Sequence, residues 1–210
     1  AAALRDVDGV GAVEVAGPGF LNITVDAGAQ GALAAEIVAA GSSYGTSEAM
    51  AGERVNVEFI SANPTGPLHL GHTRWAVVGD ALARVLRAAG ADVAREFYIN
   101  DRGNQMNLFG ASVEARALGR EVPENGYHGG YVADVAAEVV AERPGLIDLE
   151  GPARTEAFRE AAYAVQLRQQ REQLERFGTP FDVWFSERTL HESQDVVTGL
   201  ETLREQGHLF

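Results

Sequence analysis

The chain has 210 residues, 46% of them hydrophobic, enough to bury a substantial core in one or two domains. Its net charge is −13 and all 17 basic residues are Arg, with no Lys; such a balance repels a polyanion at long range and leaves any nucleic-acid contact to a local arginine cluster. No apolar run approaches the ~18 residues of a membrane span, the first residues lack a signal peptide's basic and apolar regions, and no cysteine is present for a disulfide or Cys-type zinc site, so the expected compartment is the cytoplasm.

Residues 13–25, V-E-V-A-G-P-G-F-L-N-I-T-V, read as a β-hairpin with Gly17-Pro18-Gly19 at the turn. A short helix over 28–40 follows, then a loop. Residues 54–60, R-V-N-V-E-F-I, read as a strand that gives way to S-A-N-P-T-G-P-L, a loop in which Gly66 and Pro67 are turn residues whatever its role. The loop ends in His69-Leu70-Gly71-His72, where a helix begins. Val78, Leu82, Val85, Leu86 and Ala89 recur at three- and four-residue spacing and predict its packed face, with Asp80, Arg84 and Arg87 on the other side.

Residues 93–99 make a second strand, and 104–119 a helix ending near Gly119. The stretch E-V-P-E-N-G-Y-H-G-G-Y is a loop by its Pro and Gly punctuation. Val132, Val135 and Val139 place one face of the next helix, which stops before Arg143-Pro144-Gly145. From Pro152 to Phe177 a long amphipathic helix carries Phe158, Ala162, Val165, Leu174 and Phe177, a packing stripe. The strand D-V-W-F-S-E comes next, and a helical segment ends the sequence. Helix and strand alternate from residue 51 onward, which implies an α/β fold with a Rossmann-like parallel sheet and a ligand at the carboxyl ends of its strands. No internal repeat or low-complexity segment interrupts it.

The chemistry concentrates between Arg54 and His72. A strand, a turn-rich loop and a helix with two histidines around a glycine form a phosphate site, because an open helix N-terminus and two imidazoles can both donate to an anion. Gly71 has no Cβ and lets a flat adenine lie against the backbone. An already ionised carboxylate attacking an α-phosphate needs no general base, so fixed donors are what such a site must supply. His69 and His72 are the candidate catalytic residues. His128, His191 and His208 read as surface or core histidines.

Residues 61–86, S-A-N-P-T-G-P-L-H-L-G-H-T-R-W-A-V-V-G-D-A-L-A-R-V-L, closely resemble the first signature of class I aminoacyl-tRNA synthetases in its arginyl-tRNA synthetase form. Glu96-Phe97-Tyr98-Ile99-Asn100-Asp101-Arg102-Gly103-Asn104-Gln105 resembles that family's next segment. The resemblance implies an arginine–tRNA ligase that forms arginyl-adenylate from L-arginine and ATP, with tRNA needed for efficient activation, and passes the arginyl group to the 3′ end of tRNA(Arg). It places Pro64, Thr65, Gly66, His69, Gly71 and His72 at ATP, and Glu58, Ser61 and Asn63 at arginine. A guanidinium needs a carboxylate in its plane and amide partners, which Glu58 and Asn63 can provide; Glu58 otherwise reads as an outward strand carboxylate. Asp101, with Asn104 or Gln105, reads as a possible cap of an active-site helix. No metal cluster is visible, so Mg2+ would arrive with ATP.

The resemblance also implies an organisation. Residues 1–50 would be the end of a small α+β N-terminal additional domain and its linker, 51–120 the first half of a Rossmann-like catalytic domain, and 121–210 a connective, mainly helical insertion. The family's second signature loop clamps ATP with lysine, and a chain without Lys does not carry that form of it. The chain therefore reads as cut at both ends, lacking the C-terminal catalytic half and the anticodon-binding domain, and as inactive alone. The alternatives are a non-catalytic truncated paralogue that binds nucleotide or a synthetase partner, and another H-x-G-H nucleotidyltransferase.

Overall fold

A computed structural model describes residues 2–209, and the chain divides into two compact units, Ala1–Glu48 and Ala49–Phe210. In the first, β1 (Val10–Val15) and β2 (Leu21–Val25) pair antiparallel, with an irregularity between Val10 and Ala12, and α1 (Ala27–Ala40) follows. The hairpin turn is made as its sequence dictates: Gly17 and Gly19 take φ of 63° and 85°, a region in which glycine carries no Cβ penalty. Among the described residues of this unit, Val13 is the buried apolar side chain.

The second unit holds a parallel three-stranded sheet in the order β3 (Arg54–Glu58), β4 (Asp92–Ile99) and β5 (Val183–Ser186). Helix α2 (Leu70–Ala88) connects β3 to β4. Helices α3 (Asn104–Ala117), α4 (Tyr131–Glu142) and α5 (Gly151–Phe177) lie between β4 and β5, and α6 (Glu187–Glu192) and α7 (Asp195–Glu205) come after it. The fold is thus α/β with a parallel sheet, and β5 lies inside the segment expected to be mainly helical insertion. Burial alternates along β4: Val93, Arg95, Phe97 and Ile99 of one face are buried, and Ala94, Glu96 and Tyr98 of the other are half-buried.

Helices α3, α4 and α5 share one apolar cluster of Phe109, Val113, Val132, Val135, Val139, Phe158, Ala162 and Val165. The valine spacing read for α4 is its buried face. Gly110 of α3 allows close approach to α5, since a Cβ there would stand 2.6 Å from the Cβ of Arg159. A second cluster sits under the sheet, where Phe97 stacks on Trp184 at 4.5 Å between ring centres and meets Phe181 edge-on at 5.3 Å.

Helix α2 departs from its sequence reading. Its buried residues are Ala76, Gly79, Asp80 and Ala83, whereas Val78, Leu82 and Val85 of the expected packed face are exposed, together with Trp75. The reason is steric and electrostatic. A Cβ at Gly79 would lie 2.2 Å from the Phe59 ring, so only small residues let the helix reach that ring. Asp80 is turned inward to meet Arg95 of β4 at 3.2 Å.

Arg95 also bonds Asp182 at 3.0 Å, and Arg87 of α2 reaches the same carboxylate at 2.7 Å. Asp182, just ahead of β5, therefore fastens β5 to β4 and α2. The Arg95 guanidinium holds its carboxyl far below the usual 3.8, against an opposing push from burial. A carboxyl depressed in the fold adds stability that is present above its unfolded value and is lost as pH falls through the folded one. Thermal unfolding measured from about pH 7 down to about pH 2 should show the chain weakening below about pH 4. Asp182→Asn should be less stable at neutral pH and should flatten that acid limb; an unchanged limb would remove Asp182 from this role.

Candidate active site

The site is the strand-to-helix crossover from Glu58 to His72. Strand β3 ends at Glu58 because Ile60 and Ser61 take φ of 67° and 42°, two successive left-handed residues, one of them β-branched. Such conformations cost on the order of 1–3 kcal/mol each and persist only where their surroundings enforce them. Here Ser61 N–H donates to the Phe59 carbonyl at 2.9 Å, the Ser61 hydroxyl donates to Glu58 Oε1, and Tyr98 N–H of β4 donates to the Ser61 hydroxyl at 3.1 Å. Serine thus fixes one carboxylate oxygen of Glu58, and the other, at an exposed strand end, has no partner among the described residues. Asn63 is exposed five residues on.

Pro64 and Thr65 are buried and Gly66 half-buried, so this part of the loop sits down on the protein rather than in solvent. It is held there by side chains from the helical layer. Gln170 Nε2 of α5 donates to the carbonyls of Asn63 (3.1 Å) and Gly66 (2.9 Å), and the Tyr131 hydroxyl donates to the Thr65 carbonyl at 2.8 Å.

His69 is the N-cap of α2, and the helix start expected to be open is closed by its own histidines. Gly71 N–H donates to His69 Nδ1 at 3.1 Å, and His69 N–H donates to His72 Nδ1 at 3.1 Å. His72 N–H returns to the His69 carbonyl at 2.9 Å. The rings lie 3.9 Å apart, tilted by 33°. Because each Nδ1 accepts, each neutral ring carries its proton on Nε2. Burial, and then the charge of His69, push His72 below its usual 6.5, which keeps it in this neutral form at pH 7. The donors this helix start offers an anion are therefore imidazole Nε2 groups, with the helix dipole behind them.

Gly71 has a nearer reason to be glycine than the approach of a ligand. A Cβ there would stand 2.9 Å from His69 Cε1 and displace the capping ring. A cavity of about 280 Å³ opens beside the site, lined by Leu68, His72, Thr73, Ala76, Gln173 and Phe177 among others.

Asp101 does not cap α3, whose N-cap is Gly103 without a side-chain bond. It is buried and accepts from the hydroxyls of Tyr163 (2.9 Å) and Ser186 (2.6 Å) and from Arg188 N–H (3.3 Å), tying α5, β5 and α6 to the end of β4. Gln105 Nε2 donates to the Asn100 carbonyl at 3.1 Å, and Asn104 is the exposed first residue of α3. Sequence reasoning missed Tyr131, Gln170 and Asp182. The one local signal was in α5, where Gln166 and Gln170 interrupt an apolar stripe one turn apart.

Residues 34–126 match the family described as tRNA synthetases class I (R), catalytic domain. The arginine–tRNA ligase of Paenarthrobacter aurescens is 56% identical over 207 residues, which cover 99% of this chain and 38% of that protein. That of Micrococcus luteus is 55% identical, over 96% of this chain and 36% of its own length. A solved Campylobacter jejuni structure, whose arginyl-tRNA synthetase assignment is provisional, superposes with a TM-score of 0.72 at 31% identity, over 83% of this chain and 39% of that one. The Thermus thermophilus arginyl-tRNA synthetase shares the fold at a TM-score of 0.58 and 23% identity, over 95% of this chain and 33% of its own. The chain spans less than two-fifths of the length of these relatives.

Proposed function

Since the chain belongs to the arginyl-tRNA synthetase family of class I enzymes, we propose that it forms the arginine- and ATP-binding part of an arginine–tRNA ligase. The observation that carries this reading is the pair of histidines at the mouth of α2, each with Nδ1 accepting from backbone, which leaves Nε2–H as the donor of each neutral ring. In the reaction, the ionised carboxylate of L-arginine attacks the α-phosphorus of ATP. The new C–O–P bond forms as the bond to the bridging oxygen of pyrophosphate breaks, and that oxygen leaves with the electron pair. His69 and His72 donate to the phosphate oxygens on which charge builds, without reorganising, because the backbone already holds both rings.

Pro64, Thr65, Gly66 and Gly71 line the nucleotide side of the loop, and Glu58, Ser61 and Asn63 the amino-acid side. The free oxygen of Glu58 receives a cationic group of the substrate. The arginyl group then passes to the 3′-terminal hydroxyl of tRNA(Arg). Among the described residues no group of three or more His, Cys, Asp or Glu converges on one point. Mg2+ would enter with the nucleotide, held by its phosphate oxygens.

The complete protein that carries this chain should catalyse arginine-dependent exchange of pyrophosphate into ATP, with tRNA(Arg) present. Exchange that does not depend on arginine, or that prefers another amino acid, would overturn the assignment. No helix among the described residues is long and apolar enough to cross a membrane.

A further inference from the structure

The segment from Asn63 to Pro67 has few backbone donors, because Pro64 and Pro67 have no N–H. Past Asn63, the donors left to it are Thr65 N–H and Gly66 N–H, and among the described residues neither has a protein acceptor. Their direction is set from behind. A trans peptide is planar, with C=O and N–H pointing opposite ways. The Tyr131 hydroxyl holds the Thr65 carbonyl at 2.8 Å, so the Gly66 N–H of that same peptide points away from Tyr131. Gln170 holds the carbonyls of Asn63, two peptides before, and Gly66, directly after, and so restrains the turn that carries this peptide.

Both side chains suit the task. Gln170 is 1% exposed and bonds through its amide nitrogen, while its Oε1 has no partner among the described residues; the side chain is used for its two donors. Tyr131 starts α4, and its ring packs against the Phe109 cluster. Burial, with a smaller push from Tyr127, raises its hydroxyl to about 12, so it stays a protonated donor. A tyrosine and a glutamine from helices 66 and 104 residues further along thus reach one turn of loop.

We propose that Tyr131 and Gln170 are positioning residues that aim the Gly66 N–H at the nucleotide's phosphates, an inference that rests on the Glu58–His72 crossover being the ATP site. The helical layer α3–α5 is then part of the nucleotide site. Through Tyr131 and Gln170 it fixes the loop that meets the nucleotide.

The test uses the complete protein with Tyr131→Phe and, separately, Gln170→Met, each of which removes donors and keeps the volume. Arginine-dependent pyrophosphate exchange is measured with the active sites counted by the burst of adenylate formation. Each variant should lose roughly tenfold in kcat per active site, within the hundredfold that a misplacement of about 1 Å can cost. In Tyr131→Phe the KM for arginine should stay within about twofold, since Glu58 and Ser61 are held by β4; Gln170 also holds the carbonyl of Asn63, so the arginine KM is read in the Tyr131 variant. A merely structural role would instead lower the melting temperature and the number of active sites and leave kcat per site unchanged, and that result overturns the proposal. If Tyr131→Phe does not fold, Gln170→Met decides by the same criterion. A wild-type protein without exchange activity would overturn the functional reading itself, an outcome distinct from active variants.

Discussion

His72→Ala in the complete protein should lower the rate of adenylate formation by roughly 10²–10³, as removal of one donor from an oxyanion-type site typically does, at a cost of about 2.7–4 kcal/mol in barrier. Arginine affinity should change little. The structure adds a complication, because His72 Nδ1 also accepts the His69 N–H and so closes the start of α2. Loss of such a cap costs about 0.5–2 kcal/mol of stability. His72→Asn separates the two contributions, since its side-chain oxygen can accept near the Nδ1 position while nothing reaches as far as Nε2. It should recover stability and not rate. Equal exchange activity in His72→Ala and wild type would end the assignment. His191, whose Nε2 is 3.8 Å from Glu187 on the same helical turn, provides a control whose substitution should be nearly silent.

Glu58→Gln should weaken arginine binding by about 1.5–3 kcal/mol, the range of a charge-assisted hydrogen bond, or on the order of ten- to a hundredfold in Kd. ATP binding should be spared. The carboxylate is held by Ser61, which is itself held by Tyr98 of the neighbouring strand, so the charge is aimed before substrate arrives. Ser61→Ala, which frees the carboxylate without removing it, should therefore produce the same effect at smaller size. Calorimetric titration with unchanged arginine affinity in Glu58→Gln would return Glu58 to a solvated strand-end carboxylate. Asn63 would then carry recognition of the guanidinium alone.

The sequence by itself determined the element order, the parallel sheet and the position of the crossover. Each of these rests on local rules: period-2 and period-3.6 patterns, Gly-Pro-Gly at a turn, Pro and Gly in the loop after β3, and an ordered motif around His69 and His72. The valines of α4 were readable because that helix is packed on its apolar stripe alone. Helix α2 was not readable in this way. Periodicity finds the apolar stripe and assumes that it faces the core, whereas here close approach to Phe59 selected the small residues Ala76, Gly79 and Ala83, and the charge on Arg95 drew Asp80 inward.

Tertiary structure alone decided how the loop is held. Ile60 and Ser61 adopt left-handed conformations that no propensity favours, because bonds from β4 and from Glu58 enforce them. The histidines were legible as donors, but which nitrogen donates followed only from the backbone N–H groups found at each Nδ1. Asp101 was legible as a polar residue near a helix start, yet its partners are Tyr163, Ser186 and Arg188, which lie 62 to 87 residues away. Gln170 meets Asn63 across 107 residues. Contacts at such separations leave no spacing in the sequence, since they are set by how α5 packs over the ends of the sheet and not by any local period.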